Sequence, residues 1–123
     1  MTASESTIAW LRSYYEAIDQ LQLDRLADFL HEQCEIHYPT GHSEVGRDRI
    51  LERTEKALGS LKGTEHRLVH VWDEGEELIF ELEVTYRRED GTSVLRPGVG
   101  IFVLDQGRIR QQRLFVNDAA VWR

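Results

Sequence analysis

Apolar residues recur with the period of an α-helix through the first half of the chain. The spacing i, i+3, i+7 predicts a long helix over residues 2–21, with one side chain from each turn on a buried stripe. The same reasoning predicts a short helix over 23–31 and a third helix over 47–60, which Gly46 precedes. The stripe of the first helix is formed by Ile8, Leu11, Tyr15 and Ile18.

The period changes to two after Gly63, which is the repeat of a β-strand with one buried face. Asp90-Gly91 is a strong hairpin signal in this half of the chain. An earlier strand is predicted from Cys34 to Tyr38, where Pro39 ends it. The four later strands, joined by tight turns, are predicted over residues 66–72, 78–86, 94–104 and 108–117.

The order of these elements, with helices first and antiparallel strands last, indicates an α+β fold rather than a doubly wound parallel sheet. No repeat, linker or low-complexity segment interrupts the chain, so residues 1–123 are expected to form a single domain. A strongly curved sheet is expected to wrap the N-terminal helices, with Gly98 and Gly100 as positions for a bend or a bulge. The open mouth of such a cone is a natural pocket for a small molecule.

Composition narrows the classes of function. The chain is 41% hydrophobic and 30% charged, as in a globular domain, and its net charge of -7 opposes binding to nucleic acid. No apolar run approaches the roughly 20 residues that span a bilayer, so no membrane partner is expected. The start MTASESTIAW lacks the features of a secretory signal, and together with the single Cys34 this predicts a cytoplasmic protein. The chain has no Gly-rich phosphate loop, Cys-His dyad or nucleophile elbow, and no cofactor is expected.

Three segments carry a resemblance to a known family. They are YYEAIDQLQLDRLADFLHEQCEIHYP, the G-x-x-x-I of Gly46 to Ile50, and DQGRIRQQRLFVND near the end of the chain. Together they resemble the nuclear transport factor 2-like superfamily, also called the SnoaL-like or ketosteroid isomerase-like fold. The resemblance covers nearly the whole chain, and it implies a cystatin-like cone and a homodimer formed through the outer face of the sheet. Because the superfamily holds isomerases, dehydratases, cyclases, epoxide hydrolases and non-catalytic proteins, the resemblance does not select a reaction.

Ketosteroid isomerases build an oxyanion hole from a tyrosine on the first helix and an acid on a later strand. Their base is an aspartate just before a proline. Here Tyr14 falls on the tyrosine position, whereas Tyr38 occupies the base position and Gly100 the acid position. Since two of the three groups differ, the resemblance argues against that reaction with that machinery.

Scytalone dehydratase offers a closer pattern. That family uses an aspartate late in the first helix, a tyrosine nineteen residues later and a pair of histidines. Asp19 and Tyr38 show the same spacing, and the segment with His66 resembles the one that carries the first family histidine. The second histidine falls near Arg88, so the resemblance implies only part of the dehydratase site.

Three residues are therefore candidates for proton transfer. Burial in the cone would raise the pKa of Asp19 and suit it to hold a proton, although a hydrogen bond to a loop would make it structural. Tyr38 is expected to point inward, where its hydroxyl polarises a carbonyl or else lies at the rim of a packed core. His66 has a reference pKa near neutrality and suits either acid–base work or a structural bond.

The spacing of His66 and His70 raises the question of a metal. On a helix, residues four apart share a face and can hold one ion. On a strand the same two residues lie roughly 13 Å apart, which is too far to share an ion. The sequence therefore predicts no metal site.

Aromatic and polar side chains are expected to line the pocket. By resemblance Phe115 lines it, and the strand parity would then place Arg113 and Asn117 inside with it. A buried arginine needs a carboxylate partner, and Asp19 is the nearest candidate in composition. The remaining expected wall residues are Trp10, Tyr14, Tyr15 and Phe102.

Two functions from different classes remain open. One is cofactor-free dehydration, isomerisation or cyclisation of a small apolar oxygenated molecule, with Asp19 and His66 moving protons and Tyr38 polarising a carbonyl. The other is a ligand-binding or protein-interaction module without catalysis, which the missing isomerase acids favour. Epoxide hydrolysis ranks below both, because it needs an Asp-Arg-Asp set and only Asp19 and Arg113 were found for it. Convergence of the three proton-transfer candidates on one cavity separates the first function from the second.

Overall fold

The computed structural model describes residues 1–122 as helices packed into the concave face of a curved, unclosed sheet. This confirms the predicted α+β architecture, with the helices gathered mainly in the N-terminal half. The elements in chain order are α1 (Glu5–Asp19), α2 (Leu23–Phe29), β1 (Leu30–His37), β2 (Ser43–Val45), α3 (Arg47–Gly59), β3 (Gly63–Asp73), β4 (Glu77–Arg87), β5 (Ser93–Asp105), β6 (Arg108–Val116) and a 3-10 helix (Ala119–Trp122).

The six strands form one mixed sheet in the order β2-β1-β6-β5-β4-β3. β1 and β6 run parallel, and every other neighbouring pair is antiparallel. The sequence pattern did not predict β2, which has three residues and folds back on β1 beyond Pro39. The hairpin between them is closed by the Tyr38 amide, which donates to the His42 carbonyl at 2.9 Å, and Gly41 turns the chain at φ 88°.

The helices differ from the prediction at their ends. α1 begins at Glu5 rather than at residue 2 because Ser4 caps it, its hydroxyl accepting an amide of the first turn at 3.2 Å. Thr2 instead forms a bridge to the edge strand β3. α2 ends at Phe29 rather than at residue 31, because the buried Leu30 already begins β1.

The core lies between α1, α2 and the concave face of the sheet. The predicted stripe of α1 is observed, with Leu11 and Tyr15 buried and its other two members half-buried. At the centre, the Phe80 and Phe102 rings meet edge to face with their centroids 4.8 Å apart. Each such side chain stabilises the fold by about 1.5–3 kcal/mol relative to exposure. β4 shows the predicted alternation, and its buried residues are Leu78, Phe80, Leu82, Val84 and Tyr86.

Gly98 and Gly100 do not mark a bulge. The pairing of β4 with β5 runs through both residues without a register shift. At Gly100 a Cβ atom would lie 2.3 Å from Cζ of Phe80, so the glycine makes room for a core ring. The register shifts lie elsewhere in the sheet, between Leu30 and Glu35 of β1, between Leu68 and His70 of β3 and near the end of β5.

The irregularity in β3 places the two histidines on opposite faces. His66 lies on the concave face, whereas His70 pairs with the exposed Glu81 and its ring lies 4.2 Å from that of Trp72. Among residues 1–122, no three His, Cys, Asp or Glu side chains are close enough to hold a metal ion. Within that same range, every helix is too short or too polar to cross a membrane.

Candidate active site

Asp19, the last residue of α1, reaches across to β3. Its Oδ1 atom accepts from the Thr64 hydroxyl at 2.8 Å and from Nδ1 of His66 at 2.6 Å. Its Oδ2 atom accepts from the backbone amide of His66 at 2.9 Å. A carboxylate at the C-terminal end of a helix is disfavoured by the helix dipole, and these three donors offset that cost. The carboxylate, the hydroxyl and the imidazole therefore form one polar cluster on the concave face.

The same contacts decide which nitrogen of His66 is available. Because the ionised Asp19 can only accept, Nδ1 carries the hydrogen and Nε2 of the neutral ring keeps its lone pair. Tyr15 lies one helical turn before Asp19, and its ring stacks on the imidazole with centroids 4.5 Å apart and planes inclined by 20°. The side chains of His66 and Asp19 remain 12% and 19% exposed, so the pair is not sealed inside the core.

Tyr38 lies in a second polar cluster, just beyond the end of β1. The Cζ atom of Arg53, from α3, lies 4.8 Å from the centre of the Tyr38 ring, and the His42 ring stacks at 6.0 Å. Glu44 joins the cluster through the His42 Nε2 atom at 2.9 Å. Burial raises the pKa of the Tyr38 hydroxyl, and a hydrogen bond and the charge of Arg53 oppose that rise. The structure thus joins two of the three proton-transfer candidates and places Tyr38 in a neighbouring group.

Two further titratable residues, Tyr86 and Asp118, act on these clusters, and the sequence suggests only a brace of the C-terminal turn for Asp118. Tyr86 is the cross-strand partner of Thr64, and burial together with the charge of Asp118 raises the pKa of its hydroxyl. Asp118 acts in the same direction on Tyr38, and burial raises the pKa of Asp118 itself. Strand alternation correctly placed Tyr86 on the inner face. Asp118 lies past the last strand, where no periodic pattern predicts the direction of a side chain.

The aromatic residues expected to line a pocket mostly fill the interior instead. Tyr14, Tyr15 and Phe102 are at most 5% exposed. The Tyr14 hydroxyl accepts from the side-chain amide of the buried Gln112 at 2.7 Å, which satisfies both groups in the core. Burial raises the pKa of Tyr14 and of Tyr15 above the ordinary value of 10.0. These side chains therefore support the site from behind rather than forming an open wall.

Trp10 lies apart from both polar clusters. Its ring packs edge-on against Phe29, with centroids 5.5 Å apart. It also lines a surface cleft of about 250 Å³ together with Leu78 and Leu104. Neither this cleft nor a larger, charged cleft of about 420 Å³ includes the Asp19–His66 pair. The charged cleft is lined by His31, Glu32, Arg47, Asp105, Gln106 and Arg108.

The last strand presents two of the predicted pocket residues, Arg113 and Phe115, to the convex face, and a third lies beyond its end. Gln112, not Arg113, pairs with the buried Phe102, and cross-strand partners share a face. Arg113 therefore points away from the core, and Phe115 beside it is 51% exposed. Asn117 is exposed beyond the end of the strand. The expectation that these three residues point into the cone is wrong, although parity correctly grouped Arg113 with Phe115.

Both arginines that the sequence linked to the site make other contacts. Nη2 of Arg113 lies 3.4 Å from Oε2 of Glu77, so the expected pairing of Arg113 with Asp19 is wrong. The epoxide hydrolase hypothesis loses its arginine with that pairing. Arg88, which stands where the second dehydratase histidine falls, donates to the carbonyls of Ala120 and Val121 at 2.6 and 3.0 Å. It thereby holds the C-terminal 3-10 helix in place.

Solved structures with the same fold have low sequence identity to this chain. TerC, crystallised with polyporic acid, is 16% identical, with a TM-score of 0.80 over 97% of this chain and 96% of that one. An NTF2-like protein of unknown function from Cytophaga hutchinsonii is 15% identical, with a TM-score of 0.74 over 100% of both chains. An LEH-like epoxide hydrolase from M. tuberculosis is 17% identical, with a TM-score of 0.78 over 87% of this chain and 79% of that one. No curated protein sequence matches the chain.

Likenesses at this level of identity show the fold and leave the activity open. The family is shown by the sequence itself, because the family model described as the SnoaL-like domain matches residues 11–112. That range runs from α1 into β6, and it includes Asp19, Tyr38 and His66. The chain therefore belongs to the SnoaL-like domain family.

Proposed function

We propose that this protein is a cofactor-free enzyme that moves a proton on a small apolar oxygenated molecule, in a dehydration, an isomerisation or a cyclisation. The observation that carries the proposal is the pair formed by Asp19 and His66. A carboxylate that accepts three hydrogen bonds and orients an imidazole on a concave surface is the arrangement of a general base with its orienting group.

In the proposed reaction, Nε2 of His66 takes a proton from a carbon next to a substrate carbonyl. The imidazolium that forms is stabilised by Asp19, which already accepts from Nδ1 at 2.6 Å. Thr64 holds the carboxylate and the stacked Tyr15 ring holds the imidazole, so little reorganisation accompanies proton transfer. A well-placed general base contributes about 10²–10⁴ in rate. The same proton is then returned to another atom of the substrate or leaves with water.

Tyr38 is the proposed donor to the substrate oxygen that becomes negative. Its raised pKa keeps the phenol protonated at neutral pH, so the hydroxyl can donate. Arg53 opposes the rise in pKa, and a more acidic phenol is a stronger hydrogen-bond donor to an enolate-like oxygen. The charge of Asp118 works against Arg53, so the balance between the two sets the strength of this donor.

A second function is favoured by one specific observation. The aromatic side chains of Tyr14, Tyr15 and Phe102 occupy the space where an apolar pocket was expected. In a non-catalytic ligand-binding or protein-interaction module, the bonds of Asp19 would serve only to brace α1 against β3. The family fold supports small-molecule binding in either case.

Nitrogen-detected NMR titration of the imidazoles tests the first function against the second. We expect His66 to be protonated on Nδ1 in its neutral form and its midpoint to move in Asp19→Asn. His70→Gln serves as the matched control, because His70 lies on the convex face beside Trp72. Enones, polyketides and hydroxy-aromatic compounds are then screened for turnover, which His66→Gln should lower by about 100-fold or more. A His66 that depends on Asp19 while no substrate is turned over supports the binding module, and a His66 that ignores Asp19 contradicts the proposed base.

We also propose that the convex face of the sheet packs against a second copy of the chain. Val99 and Phe115 are cross-strand partners on this face and are 38% and 51% exposed. Beside them, Nε2 of His37 and Nε of Arg113 are buried without a hydrogen-bond partner among residues 1–122. Exposed apolar surface of this kind is typical of protein–protein interfaces, so Val99 and Phe115 carry the proposal. The two unsatisfied atoms are already enclosed by the chain itself.

A further inference from the structure

The cluster around Tyr38 contains one cation from α3, Arg53. The guanidinium of Arg53 stacks over Tyr38 on one side, with its Cζ atom 4.8 Å from the ring centre. Its charge also acts on Asp118, where burial raises the pKa of the carboxyl and Arg53 opposes that rise. Arg53 therefore lies against the Tyr38 ring, beside the end of β1. No periodic pattern pointed to this residue, because it lies on the half-exposed side of α3.

Apart from its hydrogen bond to the Tyr38 hydroxyl, Arg53 keeps most of its N–H donors available. Its Nη1 atom lies 3.8 Å from Oε1 of Glu44, which is longer than a hydrogen bond, and Glu44 already contacts Nε2 of His42 at 2.9 Å. The side chain is 44% exposed, so a molecule arriving from solvent can reach it. A guanidinium stacked on an aromatic ring presents donors along its edge, in the fork geometry that matches a carboxylate.

The position of Arg53 connects it to the proposed base. The helix that carries Arg53 ends at its C-cap Ser60, whose hydroxyl accepts from Nε1 of Trp122 at 3.0 Å. The Trp122 ring lies 5.9 Å from that of Tyr86, and Tyr86 is the cross-strand partner of Thr64, which donates to Asp19 at 2.8 Å. The helix with the cation and the carboxylate that orients the base are therefore connected through Trp122 and Tyr86. A substrate that spans these groups meets the cation with one end and the base with the other.

We propose that Arg53 selects substrates that carry an ionised oxygen, such as a carboxylate or the anion of an acidic enol or phenol, and holds that oxygen while the reacting carbon faces His66. The inference rests on the proposed function for the role of His66, and names the substrate class for the same site. Neighbouring Arg49 belongs to the same helix, and its Nη1 atom lies 4.0 Å from Oε2 of Glu44, but its side chain is 76% exposed. It provides a matched control for the general effect of positive charge.

The test compares binding of 2-naphthoate with that of the neutral isostere 2-naphthamide at pH 7, by calorimetry. The wild type should bind the carboxylate about tenfold or more tightly than the amide, as expected of a charge-assisted bidentate contact. Arg53→Gln should abolish that preference, whereas Arg49→Gln should keep it. Equal affinities in the wild type, equal losses in both variants, or no saturable binding of naphthoate would each overturn the assignment.

His66→Gln makes the two proposals separable. The naphthoate preference depends on Arg53 and not on the base, so it should survive in His66→Gln. A preference that survives while no substrate is turned over supports the anion site and counts against proton transfer. If the wild type binds naphthoate no more tightly than naphthamide while the His66 titration still depends on Asp19, the anion site is contradicted and the proposed base is not.

Discussion

The two faces of the sheet differ in how completely their buried polar groups are hydrogen-bonded. On the concave face, the Asp19 carboxylate accepts three hydrogen bonds, and the buried Gln112 amide has its own partner. On the convex face, Nε2 of His37 and Nε of Arg113 are buried and lack a partner within residues 1–122. An unsatisfied buried group costs about 1–3 kcal/mol. The polar groups of the concave cluster are therefore satisfied within one chain, whereas these two atoms of the convex face are not.

The largest expected effect tests whether the concave interior is truly full. Gly100→Ala places a methyl group 2.3 Å from the Phe80 ring, which is fully buried. Overpacking of this kind should lower the free energy of unfolding by about 3 kcal/mol in urea titrations. Gly59→Ala is the control, because its Cβ would meet no atom within 4 Å and should stabilise the end of α3 slightly. A small loss at Gly100 would mean that Phe80 moves aside easily and that the interior can open for a ligand.

The second prediction concerns the convex face. Phe115→Glu puts a charge into the centre of the exposed apolar surface, so it should convert a dimer into a monomer in light scattering. Leu21→Glu changes a residue of similar chemistry in the turn after α1 and should leave the assembly unchanged. A wild type that is monomeric at high concentration would contradict the proposed second copy.

The third prediction measures the hydrogen bonds of the concave cluster. Thr64→Val keeps the shape of the side chain but removes the donor to Asp19, so it should lower the free energy of unfolding by about 1–2 kcal/mol. Thr85 lies on the opposite face of the neighbouring strand, so the control Thr85→Val should change the free energy of unfolding by less than about 0.5 kcal/mol. Equal effects at the two threonines would remove the energetic difference between the faces. A larger loss at Thr64 than at Thr85 would strengthen it.

Sequence periods predicted which residues share a face better than they predicted which face is buried. Arg113 and Phe115 do lie on one face, but a period of two does not tell which of the two faces is buried. Only the pairing of Gln112 with the buried Phe102 shows that the alternate residues of this strand point inward. Asp19 and His66 are distant in the chain, so no local spacing joins them, and the family resemblance located both. Arg53 and Asp118 were missed for a physical reason. One lies at the edge of a helix face and the other past the last strand, where side-chain direction depends on tertiary contacts alone.

The smallest expected effect is a change of the free energy of unfolding with pH. Its direction shows whether burial or nearby positive charge dominates at Asp118. Burial raises its pKa above the ordinary value of 3.8, so the folded state holds the proton more tightly than the unfolded chain. This contribution to stability is present at low pH and is lost as the pH rises through the folded pKa. Asp118→Asn removes the titration, so urea unfolding between pH 3 and 7 should show the wild type losing stability relative to the variant as the pH rises.

Asp90 provides a matched control, because its pKa is shifted in the direction opposite to that of Asp118. Hydrogen bonds from the Thr92 hydroxyl and amide lower its pKa below 3.8, so its contribution is present above that value and is lost as the pH falls through the folded pKa. Asp90→Asn should therefore change the pH dependence in the opposite direction to Asp118→Asn. If both variants change it in the same direction, the charge of Arg53 outweighs burial at Asp118. The cation would then already be engaged by this carboxylate, and a substrate anion would have to displace Asp118 in order to bind.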